Sequence, residues 1–545
     1  MQNQELRMLK KHARFIFIIV IVIGLLLSSC ANRGRPSGGP KDEIPPQIVK
    51  STPENFSTNF NGKEIKIYFD EYVKIKNLQR QLIISPPMDP APEVTPLGTA
   101  SKYITLKIND TLQENTTYAF NFGNSITDNN EENPYSYYKF VFSTGSYIDS
   151  LSITGQIKDA TLRKPEDFVS VRLYEIDSAF NDSIVYNKLP QYVTNTLDST
   201  TTFNLENLKA GKYMLLAIKD ANEDNKFQQK TDKIGFYKEF ITIPTDSSFT
   251  LKLFKEENDF NIVRPRLISG EKIAFGYEGD FRNTEISITS KTPNNYEYTI
   301  TKDPKTDSLN YWYKPRFKDT DSLLFQVKNK NYFEDFTVQI SEQKRDSLIM
   351  ESSPRGNMNF NDTFKVTANI PLSTFDKSKF NILDKDSIAV NYTTSLDTLQ
   401  NSYNFHFDKT ESNTYYIQAL PEAFTDFFSN KNDTLNYRLA TKTFADYGNV
   451  RVTLYNVKYP IIAQLTDKNG EVEAEVYSTK PEPLDFKNLN PATYYLRVIF
   501  DENENEKYDS GNYLKKLYPE RISHFDEAIE VRANWDPIID FTLLD

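Results

Sequence analysis

The chain has 545 residues, enough for several domains, with 64 Lys and Arg against 75 Asp and Glu for a net charge of −11. That balance offers no electrostatic footprint for nucleic acid, and one cysteine and three histidines leave little material for a disulfide framework or an imidazole metal site. Aromatics make up 13%, as 38 Phe and 33 Tyr with 2 Trp, and there are only 18 Gly, a composition suited to many half-buried β-strands.

Residues 1–29 begin with basic Arg7, Lys10, Lys11 and Arg14, followed by an apolar run from Phe15 to Leu27. As helix that run rises only about 20 Å, short of the roughly 30 Å hydrocarbon core, so it reads as a secretory signal rather than a membrane span. Leu27-Ser28-Ser29-Cys30 follows. This tetrapeptide resembles the lipobox of bacterial lipoproteins, which implies cleavage before Cys30 and lipidation (palmitate-type acylation) of that residue. Residues 30–45, CANRGRPSGGPKDEIP, have no apolar period and read as a flexible tether. Lys41-Asp42-Glu43 resembles the tag with which Bacteroidota export lipoproteins to the cell surface. The resemblances imply an outer-membrane lipid anchor, on the cell surface rather than the periplasmic face.

The remainder is expected to be all-β: tandem Ig-like or fibronectin-like β-sandwiches. Residues 46–146 alternate in KEIKIYFDEYV, placing Ile65, Ile67 and Phe69 on one face. With Phe69-Asp70-Glu71, Ser85-Pro86-Pro87, Ile126-Thr127-Asp128 and the closing Phe142-Ser143-Thr144-Gly145, this segment resembles the bacterial Ig-like domain first described in surface-layer proteins. Residues 147–261 resemble the carboxypeptidase-regulatory and Cna-B-type sandwiches, through a strand, an N-L-x-x-G turn at Asn207, Leu208 and Gly211, and an apolar strand ending in Asp220. Residues 262–347 and 348–445 read as two further sandwiches, the second Ig-like. Residues 446–545 repeat the second unit: LENLKAGKYMLLAIKDANEDNKF aligns without gaps to FKNLNPATYYLRVIFDENENEKY, matching Asn207 with Asn488 and Asp220 with Asp501.

The aligned strands end in oxygen-rich loops, Asp220, Asn222 and Asp224 in one copy and Asp501, Asn503, Asn505 and Asp509 in the other. Oxygens at alternate positions are the first half of an EF-hand-like loop, so a structural calcium ion is one reading. Asx turns bonding their own backbone are the other. The tripeptide Asp-Ser/Thr-apolar recurs and places Thr111, Ser150, Ser183, Ser308, Ser322, Ser347, Ser387, Thr398 and Thr434 after an aspartate. This resembles the O-glycosylation acceptor of exported Bacteroidota proteins, and Asp-Ser/Thr is equally a way out of a turn. Trp312 in LNYWYKP is the residue best suited to stack on a sugar ring if it faces outward. Catalysis has no motif to carry it: G-x-S-x-G, a Gly-rich phosphate loop and H-E-x-x-H are all missing from the sequence. The expected function is therefore non-catalytic. It is that of a lipid-anchored row of sandwiches serving as a structural or interaction subunit, accessory to an outer-membrane protein assembly or export complex. The expected partners are the outer membrane, through the lipid, and another outer-membrane protein, with no cofactor beyond the calcium reading. The alternative is a surface glycan-binding or adhesion protein.

Overall fold

The computed structural model describes residues 42–196 and 201–543; the signal, Cys30 and most of the tether lie outside the described residues. The described chain is almost entirely β, and its helices are single turns such as Leu78–Gln81 and Asp182–Tyr186. Alternation explains the strands. Glu64–Ile75 buries Ile65, Ile67, Phe69, Val73 and Ile75 while its other side chains are half-buried or exposed, the pattern of a strand with one face on a core.

Five large hydrophobic clusters follow one another along the chain, each between packed sheets. In the first, Glu64–Ile75 pairs with Ile48–Thr52 and Ser101–Lys107 and faces the sheet of Ile83–Ser85, Thr117–Asn121 and Lys139–Ser143. The second and fifth share one topology. In the second, Gly211–Lys219 pairs with Ser170–Glu175, Lys233–Phe236 and Ile241–Ile243, opposite a sheet where Leu151–Asp159 and Ser248–Leu253 run parallel. In the fifth, Ala492–Phe500 pairs with Ile461–Thr466, Ile522–His524 and Ile529–Val531, opposite the parallel pair of Gly448–Tyr455 and Ile538–Thr542.

The expectation of an open row needs correction, because the sandwiches are not joined only end to end. Lys230 pairs with Glu278 between the second and third at 2.5 Å. Trp312 packs on Ile370 and Phe427 between the third and fourth. Phe360 packs edge-on against Tyr447 at 5.5 Å, and Asn361 Nδ2 donates to the Lys487 carbonyl at 2.8 Å, between the fourth and fifth. The fifth then returns to the second: Tyr513 is fully buried in a cluster with Val185, Met214, Phe236 and Phe254. Its hydroxyl donates to the Asp182 carbonyl at 2.9 Å, and its backbone N–H donates to Glu256. Lys516 meets Asp182 at 2.6 Å, Arg497 Nη1 donates to the Thr161 carbonyl at 2.8 Å, and Tyr518 stacks on Phe236 at 4.9 Å. Four sandwiches thus close a circuit. The contacts that close it join residues more than 250 positions apart, and no local pattern announces such a pairing.

Candidate functional site

The twin loops and the seam between their two sandwiches bring many polar side chains together. Each loop follows an inner strand of its sheet, Gly211–Lys219 or Ala492–Phe500, and the left-handed residues recur in register: Glu223 and Asn225 in one, Glu504 and Glu506 in the other. Such φ values let successive amides turn toward one acceptor. Asp220 Oδ1 accepts the N–H groups of Asn222 at 3.2 Å and Glu223 at 2.7 Å, and its Oδ2 accepts those of Asn225 at 2.8 Å and Arg172 Nη2 at 2.6 Å. Asp224 accepts from Lys226 N and Gln228 Nε2, and Asn222 Nδ2 donates to Gln228 Oε1. In the second copy Asp501 accepts from the N–H groups of Asn505 and Glu506, Asn503 from that of Asn505, and Asn505 from that of Lys507. The Asn503 and Asn505 amides both donate to Asp509 Oδ2.

As folded, both loops show the Asx turns of the second reading. The oxygens named for the ion accept from the loops' own backbone and side-chain donors. The physical reason for the turns is local: Asp and Asn side chains readily accept backbone amides two to five residues on.

Two carboxylates of the constellation escaped the sequence reading. Asp232 accepts from Ala221 N and Gln228 N, and Glu520 accepts from the equivalent Glu502 N and Asp509 N. Gln228 and Asp232 are four residues apart, whereas Asp509 and Glu520 are eleven apart. The seven extra residues fall within the segment that carries Tyr513 into the second sandwich. A search for the next acid beyond the gapless alignment, allowing an insertion, would have found the pair. Burial pushes the Glu520 carboxyl up, against the two amides that hold it ionised.

The loops are braced differently. Arg172 is fully buried and forms an ion pair with Asp220. Gln464 stands at the matching position, opposite Arg497 as Arg172 stands opposite Leu216. The arginine has moved one strand over: Arg497 Nε donates to Gln464 Oε1 at 2.6 Å while its Nη1 reaches the second sandwich. Beside it His524 is pushed down to about 4, first by burial and then by Arg497, with Asp159 opposing, so the ring sits neutral in the seam.

Trp312 requires a correction. It is only 3% exposed and packs on Ile370 and Phe427, its indole N–H donating to Thr301 Oγ1 at 3.0 Å and Lys272 lying 5.0 Å from the ring centroid. A ring closed into a junction between sandwiches offers no face to a sugar. The alternation break at Tyr311-Trp312-Tyr313 arises because both faces of Ser308–Lys314 are covered, one by the third core and the other by the fourth sandwich. His406 lies in an open cleft of about 450 Å³ with Tyr392, Phe405 and Lys409, its Nε2 3.4 Å from Ser395 Oγ. Of the residues following an aspartate, Thr111, Ser150, Ser183, Ser347, Ser387, Thr398 and Thr434 are exposed, and Ser308 and Ser322 are half-buried at strand starts.

Comparison with known proteins adds the following. Residues 42–144 match the family model described as a bacterial Ig-like domain. No curated protein matches the chain. Among solved structures, domains 1–6 of the surface layer protein SbsC are similar at 11% identity and a TM-score of 0.15, over 89% of this chain and 67% of that one. The Bacillus anthracis TIE protein is similar at 10% identity and a TM-score of 0.13, over 93% and 76%. The titin I9–I11 tandem follows at 9% and 0.13, over 54% and 99%. Likeness at this level carries no activity from those proteins to this chain. No helix of the described residues is long and apolar enough to cross a membrane. The first sandwich is thus similar to bacterial Ig-like domains over its whole length, in agreement with the resemblance read from its strands.

Proposed function

We propose that the protein is a non-catalytic scaffold held at a bacterial outer membrane by a lipid on Cys30, where it positions a partner membrane protein during assembly or export. The observation that carries this reading is the closed circuit of sandwiches. A flexible string serves as a spacer, but a chain locked by the Tyr513 seam and the Trp312 junction presents fixed composite surfaces. The leader and the lone Cys30 supply the attachment. The tryptophan on which glycan stacking depended is buried in a junction, which leaves the adhesion reading without its best residue.

The test is extraction of the native protein in mild detergent. A β-barrel partner co-purifies in fixed stoichiometry, and Cys30→Ala moves the chain to the soluble fraction. Recovery of the native chain alone, with an unmodified thiol, refutes the reading.

A further inference from the structure

The seam between the second and fifth sandwiches buries a ring that neither the clasp nor the twin loops use. His524 ends the strand Ile522–His524 and pairs across it with Arg497. Arg497 is the residue that crosses the seam, its Nη1 donating to the Thr161 carbonyl at 2.8 Å. The fit there is close: a Cβ added to Gly470 of the fifth sandwich would lie 2.9 Å from Leu162 Cδ2 of the second. Within this contact the His524 Nε2 is buried and has no hydrogen-bond partner.

The charges around the ring disfavour a second proton on it. Arg497 lies on its own sheet, and Asp159, Arg163 and Lys252 face it from the second sandwich. Lys252 is the cross-strand neighbour of Lys158 and has Arg521 close by. Glu471 and Glu475 act on Arg497, and Tyr508 lies near Asp159, Glu520 and Arg497. Among the described residues, Asp159 is the carboxylate that faces the ring, and it is already engaged. It accepts Lys233 Nζ, the Thr161 N–H and the Leu162 N–H, each at 2.9 Å, and Lys233 is shared with Glu166. Burial, then Arg497, hold the pKa of His524 down from 6.5 to about 4, with Asp159 opposing and Arg163 and Lys252 adding to the fall.

We infer that His524 makes the seam an acid-sensitive latch: a proton on its ring, which finds no acceptor while the second and fifth sandwiches touch, drives them apart and releases the Tyr513 clasp. Such a latch adds a regulated open state to the closed circuit that carries the proposed function, and it rests on that circuit rather than on the membrane anchor. The direction follows from linkage. A ring whose pKa is lower in the closed state takes its proton more readily in the open one. Closure is therefore unaffected well above pH 6.5 and weakens as pH falls from 6.5 to 4. The loss in the closure constant tends to about 300-fold below pH 4. Glu256, which accepts the Tyr513 N–H inside the clasp, acts in the opposite sense, because burial pushes its carboxyl up. The signature of the latch is the part of the pH response that belongs to His524.

The test uses residues 30–545 with Cys30→Ser, so that neither anchor nor partner takes part and failure of the membrane reading is not mistaken for failure of the latch. That stretch holds two histidines, His406 and His524, and His406→Gln assigns the two imidazole signals in an NMR titration of isotope-labelled histidine. In the closed chain His524 is expected to titrate near 4, and in Tyr513→Ala, whose open seam is verified by its radius of gyration, near 6.5. Hydrogen exchange then reads closure in the intact chain. Opening of residues 510–518, corrected for the intrinsic exchange rate, is expected to rise about 20-fold more between pH 7 and pH 5 than in His524→Phe. An unchanged melting temperature at pH 7 certifies the fold of that variant. Three results overturn the inference: a His524 that titrates near 6.5 in the closed chain, one that stays near 4 when the seam is open, or a clasp whose opening answers acid equally in His524→Phe.

Discussion

The second and fifth sandwiches are the same construction used twice, and they differ in two places that decide what each can do. Both carry the parallel strand pair, the loop with two left-handed residues and a distant carboxylate closing the loop. In the second, a buried arginine neutralises the loop aspartate. In the fifth, that arginine is replaced by Gln464, Arg497 is turned outward, and seven extra residues precede Glu520. The second module is thereby a receptor and the fifth a plug. The two sandwiches repeat one construction, and the longer loop of the fifth gives it a grip on the second.

Breaking the brace of the second module gives the largest effect. Arg172→Met leaves Asp220 buried without its cation, and removing one partner of a buried pair costs about 3–5 kcal/mol. Chemical denaturation should show the second module losing stability first. Gln464→Met at the matching position is expected to cost less, about 2 kcal/mol, since the charge-assisted hydrogen bonds to the Glu475 carboxylate and from the Arg497 guanidinium are lost but no buried charge is left unpaired. Equal losses at the two sites would show that the braces are not different after all.

The clasp comes next. Tyr513→Ala removes a fully buried ring from the pocket of Val185, Met214, Phe236 and Phe254 and is expected to cost about 3 kcal/mol. The cost falls on closure rather than on either sandwich. Small-angle scattering should report a larger radius of gyration with the melting of the individual modules little changed. The mirror experiment, grafting residues 510–518 between Gln228 and Asp232, should not create a second seam, because no facing pocket waits for it.

The smallest effect is expected from chelation. With the loop carboxylates engaged by backbone amides, EDTA should leave the melting temperature unchanged to within about 1 °C, whereas a bound ion at a hundredfold excess over its dissociation constant would add about 2.7 kcal/mol. A clear drop would show that the loops rearrange around an ion and would erase the contrast between arginine-braced and amide-braced loops.

Much of this molecule was legible locally. The alternation around Ile65, Ile67 and Phe69 gave the strand, and the gapless repeat ending at Phe227 and Tyr508 pointed to two copies of one topology. The oxygen-rich loops were visible too, but whether their oxygens face an ion or their own amides depends on backbone conformation at Glu223, Asn225, Glu504 and Glu506. Trp312 failed for a related reason: alternation says which side of a strand a residue occupies, not whether that side is covered by another sandwich.

The amino-acid sequence by itself determined the β class, the repeated module and the turn chemistry, because these rest on period, propensity and contacts within a few residues. Only the tertiary structure decided that Tyr513 is a plug and not a loop tip, that Asp232 and Glu520 are equivalents, and that Trp312 is a joint. Each of those depends on surfaces meeting across hundreds of residues, where shape complementarity chooses the partner and the chain between carries no trace of the choice.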